Sequence, residues 1–191
     1  MKKLAYAAIA ATMAVTLAGC ANSETQSQES TEQQQQQTVT ENQAPEKTGP
    51  IQASIGDTID VSTDYGDIAV TIDGFVFDDA MASSFAEYGQ MQEGRTVGLL
   101  QMTVENVSFD YDDYDGIPLS DFVYAEDSSG VAMTVMSSAI NNGNEYQPIA
   151  GGYYSCQQGK TMRVAIPYVA NPEMTEVTAV VGDYEVPVQI S

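Results

Sequence analysis

The sequence after position 50 predicts an all-β fold, an antiparallel sandwich of about seven to nine short strands. Two observations predict it: runs in which apolar and polar side chains alternate, and turn-forming residues that separate these runs at short intervals. The size of the segment is also sufficient for a folded domain, because about 140 residues bury roughly two thirds of the surface that the unfolded chain exposes. A segment of this size can be stabilised by its hydrophobic core.

The clearest predicted strand is Thr96–Val107. Its side chains alternate in polarity, with Leu100, Met102 and Val104 on one face and polar residues on the other. The other predicted strands, in chain order, are Thr58–Ser62, Ile68–Ile72, Phe75–Phe77, Phe122–Ala125, Val131–Met136, Thr161–Val169, Glu176–Val181 and Tyr184–Ile190.

Two turns and one helical segment complete the predicted elements. Asp64–Asp67 and Asp127–Gly130 have the composition of tight turns between strands. In residues 79–92, Met81 and Phe85 are spaced as on one face of a helix, which predicts a short helix or an ordered loop there.

The first twenty residues have the organisation of a signal peptide. A basic start, Lys2 and Lys3, precedes the apolar stretch Leu4–Leu17, and the stretch ends in Leu17-Ala18-Gly19-Cys20. These last four residues resemble the lipobox of bacterial lipoproteins. The resemblance implies that residues 1–19 form a cleaved signal peptide and that Cys20 carries acyl chains of the palmitate type. Such a protein is lipid-anchored to the cell membrane on its extracytoplasmic face.

Residues 20–50 comprise the lipidated cysteine and a segment rich in Gln, Ser and Thr. Because this segment has almost no large apolar side chains, we expect a disordered, low-complexity tether. The domain boundaries predicted from composition are therefore 1–19, 20–50 and 51–191.

The charge of the chain limits its partners. After residue 19 the sequence has four cations, Lys47, Arg95, Lys160 and Arg163, against 27 Asp and Glu. Nucleic acids and anionic lipid surfaces attract clustered Lys and Arg, and such an acidic chain repels them. Nucleic-acid binding is excluded on this ground, and membrane attachment is expected through the lipid on Cys20.

Four short motifs carry a family resemblance: Ile55–Ile59, Val104–Ser108, Asp121–Gly130 and Gln158–Thr161. Their order is similar to that in telokin-like, immunoglobulin-fold domains of unknown function on lipoproteins of Gram-positive bacteria, and the similarity covers residues 53–190. It implies an immunoglobulin-like sandwich at the cell surface and no particular chemistry. Within the motifs, Asn106 and Ser108 are predicted to hydrogen-bond backbone where a strand ends.

The sequence lacks the residues on which most nucleophilic enzymes and zinc enzymes depend. The chain contains no histidine, which excludes Ser-His-Asp and Cys-His sites and histidine-ligated metals. With Cys20 acylated, Cys156 has no disulfide partner, and its thiol has no imidazole to activate it. We expect no enzymatic activity. A carboxylate-based hydrolase is a remaining alternative, but nothing in the sequence defines a substrate cleft.

One loop is dense in carboxylates: Asp110, Asp112, Asp113 and Asp115 lie within Phe109–Gly116. Calcium prefers six to eight oxygen ligands, so a calcium-binding surface module is a second alternative. The spacing misses the EF-hand pattern, which favours a solvated acidic loop without a cofactor.

Several tyrosines fall in predicted loops, where rigid aromatic side chains often contact partners. The candidate binding residues are Tyr111, Tyr114, Tyr146, Tyr153 and Tyr154. Packing around the ends of the sandwich is the alternative role. The sequence therefore predicts a binding or interaction module of the cell envelope, and its partner, an envelope protein or a wall polymer, is unknown.

Overall fold

A computed structural model describes residues 49–110 and 116–191. The predicted signal peptide, the lipidation site Cys20 and residues 21–48 of the predicted tether lie outside these ranges. In the described part, no helix is long and apolar enough to cross a membrane.

The described residues form twelve β-strands, one α-helix and two short 3-10 helices. The strands are β1 (Ile51–Gln52), β2 (Thr58–Thr63), β3 (Gly66–Phe77), β4 (Thr96–Asn106), β5 (Ile117–Pro118), β6 (Val123–Glu126), β7 (Thr134–Val135), β8 (Gln147–Pro148), β9 (Tyr153–Tyr154), β10 (Lys160–Ala170), β11 (Glu176–Val181) and β12 (Tyr184–Gln189). The helices are α1 (Asp79–Glu87) and the 3-10 turns Leu119–Asp121 and Ala150–Gly152. Five strands have only two residues, which leaves seven longer ones and confirms the predicted all-β sandwich.

Two sheets face each other. The larger has the strand order β2-β3-β4-β10-β7, with β8 also paired to β10, and the smaller has the order β1-β12-β11-β6. All pairings are antiparallel among the described strands except β1 with β12 and β8 with β10. The main core joins both inner faces, with Val70 and Met102 from the larger sheet and Ala179 and Val188 from the smaller. This burial of apolar surface is what holds the sheets together.

Helix α1 covers part of the outer face of the larger sheet. The side chain of Asp78 accepts a hydrogen bond from the backbone N–H of Met81 (2.8 Å) and so caps the first turn. Met81 and Phe85, which the sequence placed on one helix face, pack against Val97 and Leu99 in a second core cluster. The helix ends at Glu87, earlier than the predicted segment, and residues 88–95 form turns and irregular backbone.

Two predicted strands differ from the structure. Ile68–Ile72 and Phe75–Phe77 are parts of the single strand β3, whose register shifts between Ile72 and Gly74. The predicted strand Val131–Met136 is wrong over most of its length. Only Thr134–Val135 pairs as a strand, and Ala132 forms an isolated bridge, because this segment lies at an edge where its partners change.

The sandwich has two ends. The first, called the Asn106 end, comprises the β2–β3 turn, residues 106–110 and residues 155–159. The chain also enters the sandwich there: the Ile51 N–H donates to the carbonyl of Asp183 in the β11–β12 turn. In the same turn, the Gly182 N–H donates to the Phe122 carbonyl. The centre of the Phe122 ring lies 6.4 Å from the centre of the Phe109 ring.

The opposite end, called the Arg95 end, comprises helix α1, residues 88–95, the hairpin turn 127–131 and residues 171–175. Antiparallel pairing of β4 with β10 joins Thr96 to Ala170 at this end, as it joins Asn106 to Lys160 at the other.

Candidate functional site

Asn106 ties two loops together at its end of the sandwich. Its fully buried amide nitrogen donates to the carbonyl oxygens of Phe109 (3.0 Å) and Cys156 (2.8 Å), and its amide oxygen accepts from the Phe109 N–H (2.8 Å). The sequence-based prediction that Asn106 bonds backbone where a strand ends is confirmed. Ser108 does the same at longer range, because its hydroxyl accepts from the Asp67 N–H (2.9 Å).

The backbone on both sides of the acidic segment is also fixed. The Asp110 N–H donates to the Tyr65 carbonyl (2.8 Å), and the Phe109 ring lies 6.0 Å from the Tyr65 ring. Gly116 has φ +152°, and a Cβ there would lie 2.6 Å from the Tyr154 carbonyl oxygen. Only glycine fits so close an approach.

Most residues of the predicted calcium loop lie outside the described residues. The predicted site residues outside them are Tyr111, Asp112, Asp113, Tyr114 and Asp115. Within residues 49–110 and 116–191, no three carboxylate or cysteine residues are grouped closely enough to hold a metal ion. The calcium alternative thus stays a prediction, of which the structure describes Asp110 alone.

The adjacent tyrosines Tyr153 and Tyr154 have opposite environments. Tyr153 is 53% exposed, whereas Tyr154 is 4% exposed and packs in the main core. They alternate because both belong to β9, which pairs with Ile117–Pro118. Of this pair, Tyr153 presents its ring to solvent. A further exposed tyrosine, Tyr65 at 45%, lies in the β2–β3 turn, and the sequence predicted only that turn.

Tyr146 lies against the outer face of the larger sheet. The Arg163 guanidinium lies 5.8 Å from the centre of its ring and forms an ion pair with Glu145. Burial raises the pKa of the Tyr146 hydroxyl, and the nearby Asp73 carboxylate raises it further. Asp73 is itself held by a 2.7 Å hydrogen bond from Thr103. These contacts pack Tyr146 on the sheet rather than projecting it from a loop.

The Cys156 thiol is a packing group. It is 2% exposed and donates to the backbone carbonyl of Lys160 at 3.1 Å. Its contact is thus with the main chain of Lys160, as expected for a buried structural thiol.

The Arg95 end carries two adjoining grooves. One, of about 410 Å³, is lined by residues that include Gln92, Arg95, Met133 and Met174. The other, of about 470 Å³, runs along helix α1 and shares Gln92 and Arg95 with the first. Each volume falls within the range of ordinary ligand pockets.

Arg95 is exposed and stands apart from the other arginine. Arg163 is paired with Glu145, whereas no carboxylate among the described residues lies within ion-pair distance of Arg95. The next residue, Thr96, lies on the same face of β4 as Leu100 and Met102 of the main core, so its buried hydroxyl, which has no hydrogen-bond partner among the described residues, faces away from helix α1. A buried hydroxyl without a partner is rare in native proteins.

Three carboxylates surround the grooves. Asp79 and Glu93 line the helix-side groove, and Asp127 lines the other. Hydrogen bonds from the Ser129 hydroxyl and then from the Val131 and Ser129 N–H groups lower the pKa of Asp127, so that it stays charged. Tyr88, which follows helix α1, is 75% exposed at the same end.

The sequence predicted a helical segment and a turn at this end of the molecule but no binding site. The grooves form from segments distant in sequence, and their lining is mixed in polarity. One signal was available, since Arg95 is one of only four cations after residue 19.

Comparisons with known proteins do not assign the chain to a family. No family model matches the chain, and no curated protein matches it. Among solved structures, a protein described as a "putative lipoprotein from Staphylococcus aureus" is similar, with a TM-score of 0.42 and 10% identity. The match covers 70% of this chain and 93% of that one. The resemblance to telokin-like domains is not confirmed by these comparisons and stays a prediction.

Proposed function

We propose that the chain is a lipid-anchored protein of the extracytoplasmic membrane face whose β-sandwich is a binding module. Anchoring is supported by the sequence: a basic start and an apolar stretch precede Leu17-Ala18-Gly19-Cys20. Two acyl chains on one cysteine hold a protein stably at a membrane without help from its surface. An acidic surface is compatible with that mode of attachment.

The observation that carries the binding role is the pair of grooves at the Arg95 end. Both are lined by Arg95, an exposed cation without a carboxylate partner among the described residues, and the exposed Tyr88 lies at the same end. Arginine and tyrosine are enriched at interfaces because both provide contact area together with directional hydrogen bonds. Catalysis has less support, because the chain has no histidine and the Cys156 thiol is buried.

A second candidate surface lies at the Asn106 end. It comprises the exposed ring of Tyr65, whose carbonyl accepts a hydrogen bond from the Asp110 N–H. The exposed Tyr153 keeps the earlier expectation that a loop tyrosine binds a partner. The immunoglobulin-like, telokin-like character of the sandwich belongs to the same proposal and is supported by the order of the four sequence motifs.

Anchoring and binding are tested separately. Metabolic labelling with a radioactive fatty acid should label the wild-type chain and leave Cys20→Ala unlabelled; equal absence of label in both contradicts the anchor. For binding, a chemical crosslinker on intact cells should capture one reproducible envelope component. A chain that stays uncrosslinked at native abundance contradicts the binding role.

A further inference from the structure

Strand β2 is an open edge of the larger sheet. Among the described strands it pairs only with β3, whereas the other sheet edges are short or bordered by another segment. Strands β1 and β7 have two residues each, and at β6 the Met133 N–H donates to the Ala125 carbonyl (2.8 Å). With six residues, β2 is long enough to pair with a further strand.

The register shows which backbone groups of β2 point outward. The Gly56 N–H donates to the Ile72 carbonyl, so Ile72 and every second residue before it in β3 bond toward β2. Opposite these residues of β3 lie Ile59, Val61 and Thr63. The alternate residues of β2 therefore direct their N–H and C=O groups away from the sheet, and these are Thr58, Asp60 and Ser62.

The composition of β2 leaves this edge unprotected. Natural edges are blunted by lysine, by proline or by a bulge, and Thr58–Thr63 has none of the three. Four of its six residues are β-branched, which favours strand pairing. Its one charged side chain, that of Asp60, is exposed on the outer face.

Two exposed isoleucines lie on the same side of the sandwich. Residues 53–57 link β1 to β2, so the edges of the two sheets are adjacent there. Ile51 in β1 is 48% exposed and shares the inner face with its partner Tyr184, and Ile55 in the link is 45% exposed. Apolar side chains beside an open strand edge mark a place where another chain pairs.

We infer that the β2 edge receives an extended peptide segment of another protein as an additional strand. The backbone of the segment bonds the outward N–H and C=O groups of β2, the mode called β-augmentation. Its side chains alternate: apolar ones lie beside Ile59 and Val61 on the inner face, and polar ones lie on the outer face, with a lysine or arginine opposite Asp60. This surface is separate from the grooves at the Arg95 end, so the inference goes beyond the proposed function.

Charge favours a cationic segment over a second copy of this chain. After residue 19 the chain has four cations against 27 Asp and Glu, so two copies repel each other. Pairing of two β2 strands about Asp60 also places two carboxylates directly opposite each other, which is destabilising. A lysine opposite Asp60 provides the complementary charge.

The test uses the chain from residue 20 onward, carrying Cys20→Ala, and the peptide acetyl-Thr-Thr-Val-Lys-Val-Thr-Thr-amide. In amide NMR spectra, the N–H signals of Thr58, Asp60 and Ser62 should shift on titration, and their exchange with solvent should slow. A peptide N-methylated at its lysine lacks the donor that faces Asp60 and should not bind. N-methylation at the next valine removes an N–H that points away from β2 and should change the Kd by less than about twofold.

Protein variants test the register. Asp60→Lys should weaken the lysine peptide about fivefold and favour a peptide with glutamate in its place. Glu176→Lys is the matched control, since it reverses an exposed carboxylate on the smaller sheet and should leave the Kd unchanged. Ser62→Pro removes an outward N–H without removing a bond to β3, and it should abolish binding. Thermal unfolding of each variant verifies that it is folded.

The inference is overturned if the peptide shifts none of the three amides at millimolar concentration, if N-methylation at its lysine has no effect, or if Asp60→Lys and Glu176→Lys change the Kd equally. A dimer of the free protein in analytical ultracentrifugation that Ser62→Pro dissociates also overturns it, because a second copy then covers the edge. None of these outcomes affects the proposed function, which fails instead when no envelope component crosslinks on cells.

Discussion

The two ends of the sandwich are built on different principles. At the Asn106 end, polar groups face inward and are paired, since one buried amide bonds three backbone groups from two loops. At the Arg95 end, the exposed Arg95 guanidinium has no ion pair among the described residues and lines two grooves. Satisfied polar networks make a structure rigid, whereas an exposed arginine beside a groove is able to pair with a group of a partner.

With the proposed binding role, this difference assigns stability to one end of the domain and binding to the other. The Asn106 end is where the chain enters, and its loops are tied to the sheets. The Arg95 end lies opposite, with grooves of ligand size. Substitutions at the Asn106 end should therefore reduce stability, whereas substitutions at the Arg95 end should reduce binding and leave the fold intact.

The largest effect is expected for Asn106→Ala. The change leaves the Phe109 N–H and the Phe109 and Cys156 carbonyls buried and unpaired, which should lower the free energy of unfolding by about 4 kcal/mol. Urea unfolding followed by circular dichroism measures it. The control is Asn171→Ala at the other end, whose exposed side chain accepts from the Glu173 N–H; its cost should stay below about 1 kcal/mol. Equal losses contradict the comparison.

A glycine pair gives the next largest effect. Gly66 has φ +120°, and an added Cβ would lie 2.3 Å from the Ser108 carbonyl oxygen, so Gly66→Ala should cost about 3 kcal/mol. Gly94, at the Arg95 end, has φ +74° and open space around it, so Gly94→Ala should cost only about 1 kcal/mol of backbone strain. Similar urea midpoints for the two variants would contradict the prediction that the Asn106 end is the more tightly packed of the two.

An alkaline pH effect should arise in the core that both ends share. Burial raises the pKa of Tyr168 well above that of an exposed tyrosine. Its neutral form therefore stabilises the fold fully below the unfolded-state pKa of about 10, and this contribution is lost as the pH rises above that value. The melting temperature of the wild type should fall between pH 9 and pH 11, and that of Tyr168→Phe should fall less. Parallel curves for both proteins contradict the assignment.

The smallest effect is expected on the outer face of the larger sheet. Arg163 pairs with Glu145 and lies over the Tyr146 ring, but both charged side chains are more than half exposed. Arg163→Gln should thus lower stability by less than about 1 kcal/mol. Thermal unfolding checks it, and a loss comparable with that of Asn106→Ala would show that this cluster, not the Asn106 end, holds the loops.

The sequence predicts strands well where a pattern is long. The alternation in Thr96–Val107 gave β4 to within one residue, because each side chain there repeats the same choice of face. Two-residue strands offer no such repetition. Tyr153 and Tyr154 received the same interpretation from the sequence, and pairing with Ile117–Pro118 alone determines that one is exposed and the other buried.

Sequence patterns could not predict the candidate site, for a similar reason. Arg95, Met133 and Met174 come from three separate segments, and only the folded chain brings them to one groove. Each of them is unremarkable in its own segment. The charge balance singles out Arg95 as scarce, but its lack of an ion pair is a property of the folded structure.

The most direct test compares the two ends on living cells. A photo-crosslinking amino acid replaces Gln92 at the Arg95 end in one strain and the exposed Tyr65 at the Asn106 end in another. The account predicts that an envelope component is captured from position 92 and not from position 65, and that Arg95→Gln abolishes the capture. Capture from position 65 alone, or capture from position 92 that persists in Arg95→Gln, would contradict it.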